Sequence, residues 1–162
     1  MHYAEVIPFE VCNGSGIGTS LFVQGCDLRC ENCFNQTAWD YRNGKEWDEE
    51  KKQRFFDIIS RYYIKRVSFL GGEPFSYPNA KEIGELIKEI KIRFPDKQIW
   101  VFSGYTMEEL NKREVIVNIL PYVDVLVDGR FIEGFKDAKL KFKGSSNQRT
   151  WENHDGTWVV VD

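Results

Sequence analysis

Hydrophobic and polar positions along the chain switch repeatedly between the period of a strand and the period of a helix. Four short apolar stretches predict buried strands, at residues 19–24, 66–70, 98–102 and 123–127. Two more stretches predict exposed or edge strands. One is at 139–143, where lysines alternate with apolar residues, and the other is at 157–161.

Helical spacing fills the gaps between the four buried strands. A first helix is predicted from an N-cap at Asp48 to about Tyr63. Its apolar face consists of Phe55, Ile58, Ile59 and Tyr62. A second helix covers about 79–94, where a proline ends it. A third opens with a capping box of Thr106 and Glu109.

Strands that alternate with helices predict right-handed crossovers, which place neighbouring strands parallel. Four such units are too few to close an eight-stranded barrel. The sequence therefore predicts an α/β fold with a mostly parallel sheet, arranged as an open, partial (β/α) barrel. All of residues 1–162 are assigned to a single domain.

Composition and charge argue against several classes of function. The chain is 42% hydrophobic and 15% aromatic, which favours a packed core over disorder. Its net charge of −3 argues against binding to nucleic acid or to an anionic membrane through net charge. No apolar run approaches the roughly 18 residues that a membrane helix needs, and the first residues do not resemble a signal peptide. We therefore expect a cytoplasmic protein with no nucleic-acid or membrane partner.

Three of the four cysteines lie together as Cys26, Cys30 and Cys33, in the pattern C-x3-C-x2-C. In a reducing compartment, clustered thiols indicate metal or redox chemistry more often than disulfides. A structural zinc site needs four ligands, and no histidine lies near these cysteines in the sequence. An iron–sulfur cluster with three protein thiolates and one open iron fits best, and zinc and a disulfide are the alternatives.

The sequence Gly71-Gly72-Glu73-Pro74 follows directly after a predicted strand. One interpretation is an ordinary Gly-Gly turn. The other is a ligand site, because two glycines let the backbone approach a ligand closely. The carboxylate of Glu73 would accept hydrogen bonds from an ammonium group.

The cysteine spacing and the GGE sequence about forty residues later resemble the signature of the radical S-adenosylmethionine (SAM) superfamily. The resemblance implies a partial barrel of the radical SAM type and a [4Fe–4S] cluster held by Cys26, Cys30 and Cys33. It also implies that SAM chelates the open iron, with its amino group bound at the GGE sequence. The reduced cluster would cleave SAM to methionine and a 5′-deoxyadenosyl radical, which abstracts hydrogen. The superfamily often has an aromatic residue just before the third cysteine, where this chain has Asn32.

Further blocks resemble one branch, the activating proteins of anaerobic ribonucleoside-triphosphate reductases. They are residues 13–16 (NGSG), 21–26 (LFVQGC), 33–39 (CFNQTAW), 103–105 (SGY), 124–131 (DVLVDGRF) and 144–149 (GSSNQR). Many members have an arginine shortly after the first glycines, where this chain reads Ile17-Gly18-Thr19. The resemblance implies an activase that installs a glycyl radical on the reductase.

The predicted SAM contacts come from two sources. The resemblance implies Asn32, Cys33, Phe34, Gly71, Gly72 and Glu73. Strand-end geometry adds Ser103, Asp128 and Arg130. No acid–base residue is required, because the cofactors do the difficult chemistry. A flavodoxin-like or ferredoxin-like electron donor is expected by family analogy, and the polar residues 145–148 are expected to help dock the reductase.

Other functions stay open at this point. They are activation of another glycyl-radical enzyme such as pyruvate formate-lyase, a radical SAM reaction on a small molecule, and a metal-binding interaction module. Because the candidate groups follow parallel strands, we expect them at one edge of the sheet. Cys12 is expected to be a small buried or half-buried residue that does not bind the cluster.

Overall fold

The computed structural model describes residues 1–162 and contains one sheet of eight strands. The strands are β1 His2–Glu10, β2 Gly18–Val23, β3 Lys45–Glu46, β4 Arg66–Gly71, β5 Gln98–Phe102, β6 Val125–Asp128, β7 Arg149–His154 and β8 Thr157–Val160. The α-helices are α1 Glu49–Ile59, α2 Tyr77–Arg93, α3 Met107–Leu110 and α4 Glu114–Val117. Three short 3₁₀ turns are Gln36–Ala38, Leu120–Tyr122 and Glu133–Phe135.

The order of strands across the sheet is β3-β1-β2-β4-β5-β6-β7-β8. The central strands β2, β4, β5 and β6 are parallel, so their carboxyl ends share one edge. The outer pairings, β1 with β2 and β3 and β7 with β6 and β8, are antiparallel. The α/β class is therefore confirmed, and the sheet is open between β3 and β8.

The prediction of a mostly parallel sheet is wrong, because the sheet is mixed and four of its seven pairings are antiparallel. The reason lies in the connections. No crossover helix separates β1 from β2, or β7 from β8, and strands joined directly pair as hairpins. A partial barrel of the radical SAM type stays a prediction.

Side-chain alternation gives the central strands two different faces. On one face, apolar residues pack beneath α1 and α2 in the main core. That core includes Leu21, Val23, Val67, Phe69, Ile99 and Val101 from the sheet, and Phe55, Ile59, Ile83 and Ile87 from the helices. On the other face, Phe22, Leu70, Phe102 and Val127 line a cavity. The helices therefore stabilise one side of the sheet and leave the other side for a ligand.

The predicted buried strands are confirmed, and so are β8 and the caps of the first and third helices. The Asp48 carboxylate accepts from the Lys51 N–H, and the capping box of Thr106 and Glu109 is present. The first helix ends at Ile59, so Tyr62 is 85% exposed and does not belong to the apolar face. None of the helices has the length and apolar character needed to cross a bilayer.

Three other expectations about secondary structure differ from the structure. The third predicted helix is divided into α3 and α4, and β1, β3 and β7 were not predicted. The strand predicted at 139–143 is wrong, because this segment consists of turns and bends. Its apolar residue Phe142 packs edge-on against Trp100, with ring centroids 5.2 Å apart. The alternation of lysines therefore reflects one side chain that turns inward from an irregular loop.

Candidate functional site

A cavity of about 420 Å³ lies at the carboxyl edge of the parallel strands. Most of the predicted site residues line it. These are Cys26, Cys30, Cys33, Phe34, Gly71, Gly72, Glu73 and Ser103. The expectation that the candidate groups meet at one edge of the sheet is confirmed for this set.

The loop that carries the three cysteines is closed at its base by backbone hydrogen bonds. The Cys26 N–H donates to the carbonyl of Trp39 over 3.2 Å, and the Cys33 N–H donates to that of Cys30 over 3.1 Å. Between the thiols, Arg29 and Asn32 adopt positive φ angles of 50° and 57°, which turn the chain twice within four residues. The loop therefore curls, and all three thiols line the same cavity.

Burial changes the pKa of two of these thiols. Burial raises the pKa of the Cys26 thiol to about 11 and also raises that of Cys30. In the ligand-free protein these two thiols are therefore protonated at neutral pH. Metal coordination deprotonates a thiol, so binding of a metal centre releases their protons.

The GGE loop packs directly against the residues that precede the first cysteine. The Gly72 N–H donates to the carbonyl of Val23 over 2.9 Å, and the Glu73 N–H donates to that of Gly25 over 2.8 Å. The buried side chain of Asn79, at the start of α2, donates to the carbonyls of Gln24 and Glu73. These contacts fix the two motifs next to each other although they lie far apart in sequence.

This packing predicts a strong effect for Gly72→Ala. A Cβ at residue 72 would lie 2.5 Å from the carbonyl oxygen of Gly25, so the backbone ahead of Cys26 would have to move. We expect a lower melting temperature and lower iron content after anaerobic reconstitution. The matched control is Gly134→Ala, where an added Cβ meets nothing within 4 Å. Equal iron content in the two variants would contradict the prediction.

Glu73 is the only carboxylate that lines the cavity, and 1% of its surface is exposed. One of its oxygens accepts from the Ser103 hydroxyl over 2.8 Å and from the Phe75 N–H over 2.9 Å. The other oxygen accepts from the Gly104 N–H over 2.6 Å. Burial raises the pKa of Glu73 to about 7, although these hydrogen bonds oppose the rise. This carboxyl group is therefore oriented rigidly, and a bound cation would favour its charged form.

Asp128 and Arg130 do not line the cavity. The buried Asp128 carboxylate pairs with Arg149 at 2.6 Å and accepts from the Met107 N–H at the start of α3. Arg130 pairs with Glu109 at 2.8 Å. Its charge acts on Cys30, whose pKa it lowers against the larger effect of burial. Asp128 therefore stabilises the strand end, and Arg130 lies beside the cysteine loop.

Asn32 and Phe34 both lie at the surface of the cysteine loop. Asn32 is exposed and occupies one of the two left-handed turns, a conformation that asparagine tolerates well. Phe34 is 96% exposed and is one of the residues that line the cavity. An exposed aromatic ring at a cavity rim is available to pack against a bound ligand.

The cavity also has walls that the sequence did not reveal. Cys12 and Asn13 lie on one side, and Leu28, Phe131 and Phe142 add apolar surface. Cys12 is exposed, so the expectation of a buried or half-buried side chain is wrong. The signal for this wall was the glycine-rich segment 13–16, which the sequence alone identifies only as a turn.

The polar residues 145–148 brace the chain around the cavity. Ser145 is fully buried, and the side-chain amide of Asn147 donates to the carbonyl of Arg130. The side chain of Gln148 donates to the carbonyl of Gly129 and accepts from the N–H groups of Gly144 and Ser145. These side chains therefore fix the loop, and the expectation that they dock a partner stays a prediction.

The donor set fits a cluster better than a single ion. No three Cys, His, Asp or Glu side chains are gathered closely enough to hold one metal ion. A single zinc ion needs all its thiolates about 2.3 Å away, whereas a cluster presents a separate iron to each thiolate. The three thiols are spread around one cavity, beside a carboxylate that is not needed as a ligand. This arrangement matches a cluster better than a single zinc ion.

Fold and site together define an α/β protein with a three-thiol cofactor site at the edge of its sheet. The model of the family described as "4Fe-4S single cluster domain" matches residues 12–151. The chain is similar to anaerobic ribonucleoside-triphosphate reductase-activating proteins of three organisms. That of Enterobacteria phage T4 is 37% identical over 98% of both chains. Those of Vibrio cholerae and Escherichia coli K12 are 37% and 34% identical over 91% of this chain and 96% of the relative.

The chain therefore belongs to the 4Fe-4S single cluster domain family and to the anaerobic ribonucleoside-triphosphate reductase-activating proteins.

Proposed function

We propose that the protein is a radical SAM activase that cleaves SAM reductively and generates a glycyl radical on the anaerobic ribonucleoside-triphosphate reductase. The observation that carries this proposal is the single cavity that three thiols share with the buried carboxylate of Glu73. The names of the relatives, which match at least 91% of this chain, support the choice of target.

In this proposal Cys26, Cys30 and Cys33 hold the cluster. These three residues would hold a cluster that supplies the electron for SAM cleavage, and three protein ligands would leave room for SAM to bind beside it. The thiols have no general acid or base role. Their function is to deprotonate on binding and to keep the cluster at the carboxyl edge of the sheet.

Glu73 is assigned to the amino group of SAM. Its carboxylate is oriented by Ser103 and by two backbone N–H groups, so it attracts an ammonium group without any change of rotamer. Gly71 and Gly72 keep the backbone beside it free of side chains. Phe34, on the rim, is assigned to the adenine ring, while Asn32, Arg130 and the more distant Asp128 shape the surrounding loops.

The apolar wall of the cavity has a second role in this proposal. Phe22, Leu70, Phe102, Phe131 and Phe142 keep water away from a reactive primary radical. A segment of the reductase supplies the remaining wall when it enters with its glycine. Glycine suits the reaction because no side chain shields its α-carbon.

The electron donor is proposed to be a flavodoxin-like or ferredoxin-like protein of the cytoplasm. The feature that supports direct electron transfer is the position of the thiols, which are half-buried in a loop whose other side chains are largely exposed. A donor that docks on this loop would come close to the cluster without any rearrangement of the sheet.

The experiment combines anaerobically reconstituted protein, a reductant and SAM with the reductase, and detects a glycyl radical by electron paramagnetic resonance. Reductase with deuterium at the glycine α-carbon should transfer label to 5′-deoxyadenosine, and reductase with that glycine changed to alanine should not support the radical. Consumption of a free small molecule at the same rate without the reductase would overturn the proposal.

A further inference from the structure

The wall of the cavity that contains Cys12 and Asn13 rests on an arginine from another part of the chain. We call residues 11–17 the wall loop. Arg66, the first residue of β4, is fully buried, and its guanidinium lies 2.8 Å from a carboxylate oxygen of Glu10. The same guanidinium is within hydrogen-bond distance of four backbone carbonyls, those of Glu10, Asn13, Ser15 and Gly16. One cation thus joins three residues of the wall loop, Asn13, Ser15 and Gly16, to the central sheet.

The Glu10 carboxylate accepts hydrogen bonds from backbone N–H groups of the wall loop. One of its oxygens accepts from the backbone N–H groups of Cys12 and Asn13, and the other accepts from the Ser20 hydroxyl over 2.6 Å. Val11 is 59% exposed and Cys12 is exposed, so apolar packing contributes little at this end of the loop, whereas Ile17 at its other end packs against the main core. The conformation of Cys12 and Asn13 therefore depends on the pair of Glu10 and Arg66.

The register of the sheet places Gly18 directly beside Arg66. Gly18 of β2 is the partner of Arg66 in the parallel pairing of β2 with β4. A Cβ built at Gly18 would lie 2.5 Å from the central carbon of the Arg66 guanidinium. Gly18 is therefore small because the guanidinium fills the place of its side chain.

The pair is separate from the residues assigned to the cofactors. Arg66 lies at the amino end of β4, whereas Glu73 and the cysteine loop follow the carboxyl ends of β4 and β2. Contact with the cavity is made only through the wall loop, by Cys12 and Asn13. Loss of the pair should therefore change one wall of the cavity and leave the thiols in place.

We propose that Glu10 and Arg66 are positioning residues for the polypeptide substrate, because they hold the wall loop rigid as the surface against which the reductase segment packs. This inference rests on the proposed function. A flexible segment loses less free energy on binding when the surface that receives it is already ordered. The pair therefore contributes to binding of the reductase and does not contribute to cluster assembly or to SAM cleavage.

The first test is Arg66→Ala. We expect affinity for the reductase, measured without SAM, to fall by about tenfold or more, because the receiving surface is no longer ordered. Iron content and SAM cleavage without the reductase should match those of the wild type. Amide hydrogen exchange should accelerate in the wall loop. Arg54→Ala, which breaks an exposed pair with Glu50, is the matched control and should change none of these.

The second test keeps the positive charge at residue 66. Removing one partner of a buried ion pair is strongly destabilising, so Arg66→Ala is compared with Arg66→Lys, which keeps a cation beside Glu10 but loses the planar fork of donors. Arg66→Lys should bind the reductase more tightly than Arg66→Ala and less tightly than the wild type. An Arg66→Lys variant that does not fold, or that folds and binds the reductase as weakly as Arg66→Ala, contradicts the proposal.

The outcomes separate the inference from the function on which it rests. If Arg66→Ala binds the reductase like the wild type, or loses iron and SAM cleavage in the same proportion as affinity, the pair has no specific positioning role. If the wild-type protein itself neither binds the reductase nor forms a glycyl radical, the proposed function is wrong.

Discussion

Alanine at Cys26, Cys30 or Cys33 should reduce SAM cleavage and glycyl radical formation by at least about 100-fold, because loss of even an indirect metal contact costs 10- to 100-fold. In the proposed cluster, each substitution would remove a negative charge that offsets the charge of the irons and would leave a second iron without a protein ligand. The chain offers no histidine to replace the lost ligand near the cavity. Iron content, the visible absorption of the reconstituted protein and the radical yield are the measurements.

Cys12→Ala is the matched control, and the structure makes it a demanding one. Cys12 lines the same cavity as the three thiols, so a fourth thiol that could act as a ligand is present at the site. We nevertheless expect Cys12→Ala to keep its iron and its activity, because Cys12 lies outside the curled loop that positions the other three. A folded Cys12→Ala protein that loses iron would contradict the assignment of ligands.

The parts of the site that the sequence predicts are those set by local pattern and by strand direction. Cys26 and Glu73 each follow a buried apolar stretch, and the helical spacing between the stretches implies parallel strands. Parallel strands share a carboxyl edge, so the sequence predicts that Cys26 and Glu73 lie at the same edge of the sheet, although it does not predict the conformation of their loops. The helix caps at Asp48 and Thr106 are predictable for a similar reason, since each depends on residues within one turn.

The parts that the sequence does not predict depend on partners far along the chain. Asp128 follows a strand like the true cavity residues, but its carboxylate is occupied by Arg149 and by the N–H of Met107. Arg66 begins a predicted buried strand, and its guanidinium is buried because the loop 50 residues earlier closes around it. Pairings of this kind cannot be inferred from the period of apolar residues.

The second large effect is expected for Glu73→Gln, which removes one negative charge and keeps the size of the side chain. A hydrogen bond to a charged group is worth about 1.5–3 kcal/mol, so affinity for SAM should fall roughly 10- to 100-fold. Equilibrium binding of SAM to the reconstituted protein measures the change. Glu31→Gln is the matched control, because Glu31 is an exposed carboxylate of the same cysteine loop.

The pH dependence of SAM binding is a second test of the role of Glu73. Burial raises the pKa of Glu73 to about 7 from a usual value of 4.5, so the ligand-free protein carries a neutral Glu73 below that pH. A neutral acid attracts an ammonium group weakly, and SAM affinity should therefore rise as pH increases through about 7. Glu73→Gln should bind SAM with no such rise.

The free energy of unfolding of the ligand-free protein should decrease with rising pH, whereas SAM affinity should increase. A carboxyl group whose pKa is higher in the folded state than in the unfolded state favours folding while it is protonated. That contribution is complete below pH 4.5 and decreases as pH rises through about 7, by at most about 1.4 kcal/mol per pH unit. The decrease should be absent in Glu73→Gln. If the two proteins lose stability in parallel over this range, or if the variant keeps the wild-type pH dependence of SAM binding, then Glu73 is not the group that titrates and its assignment to the SAM amino group is wrong.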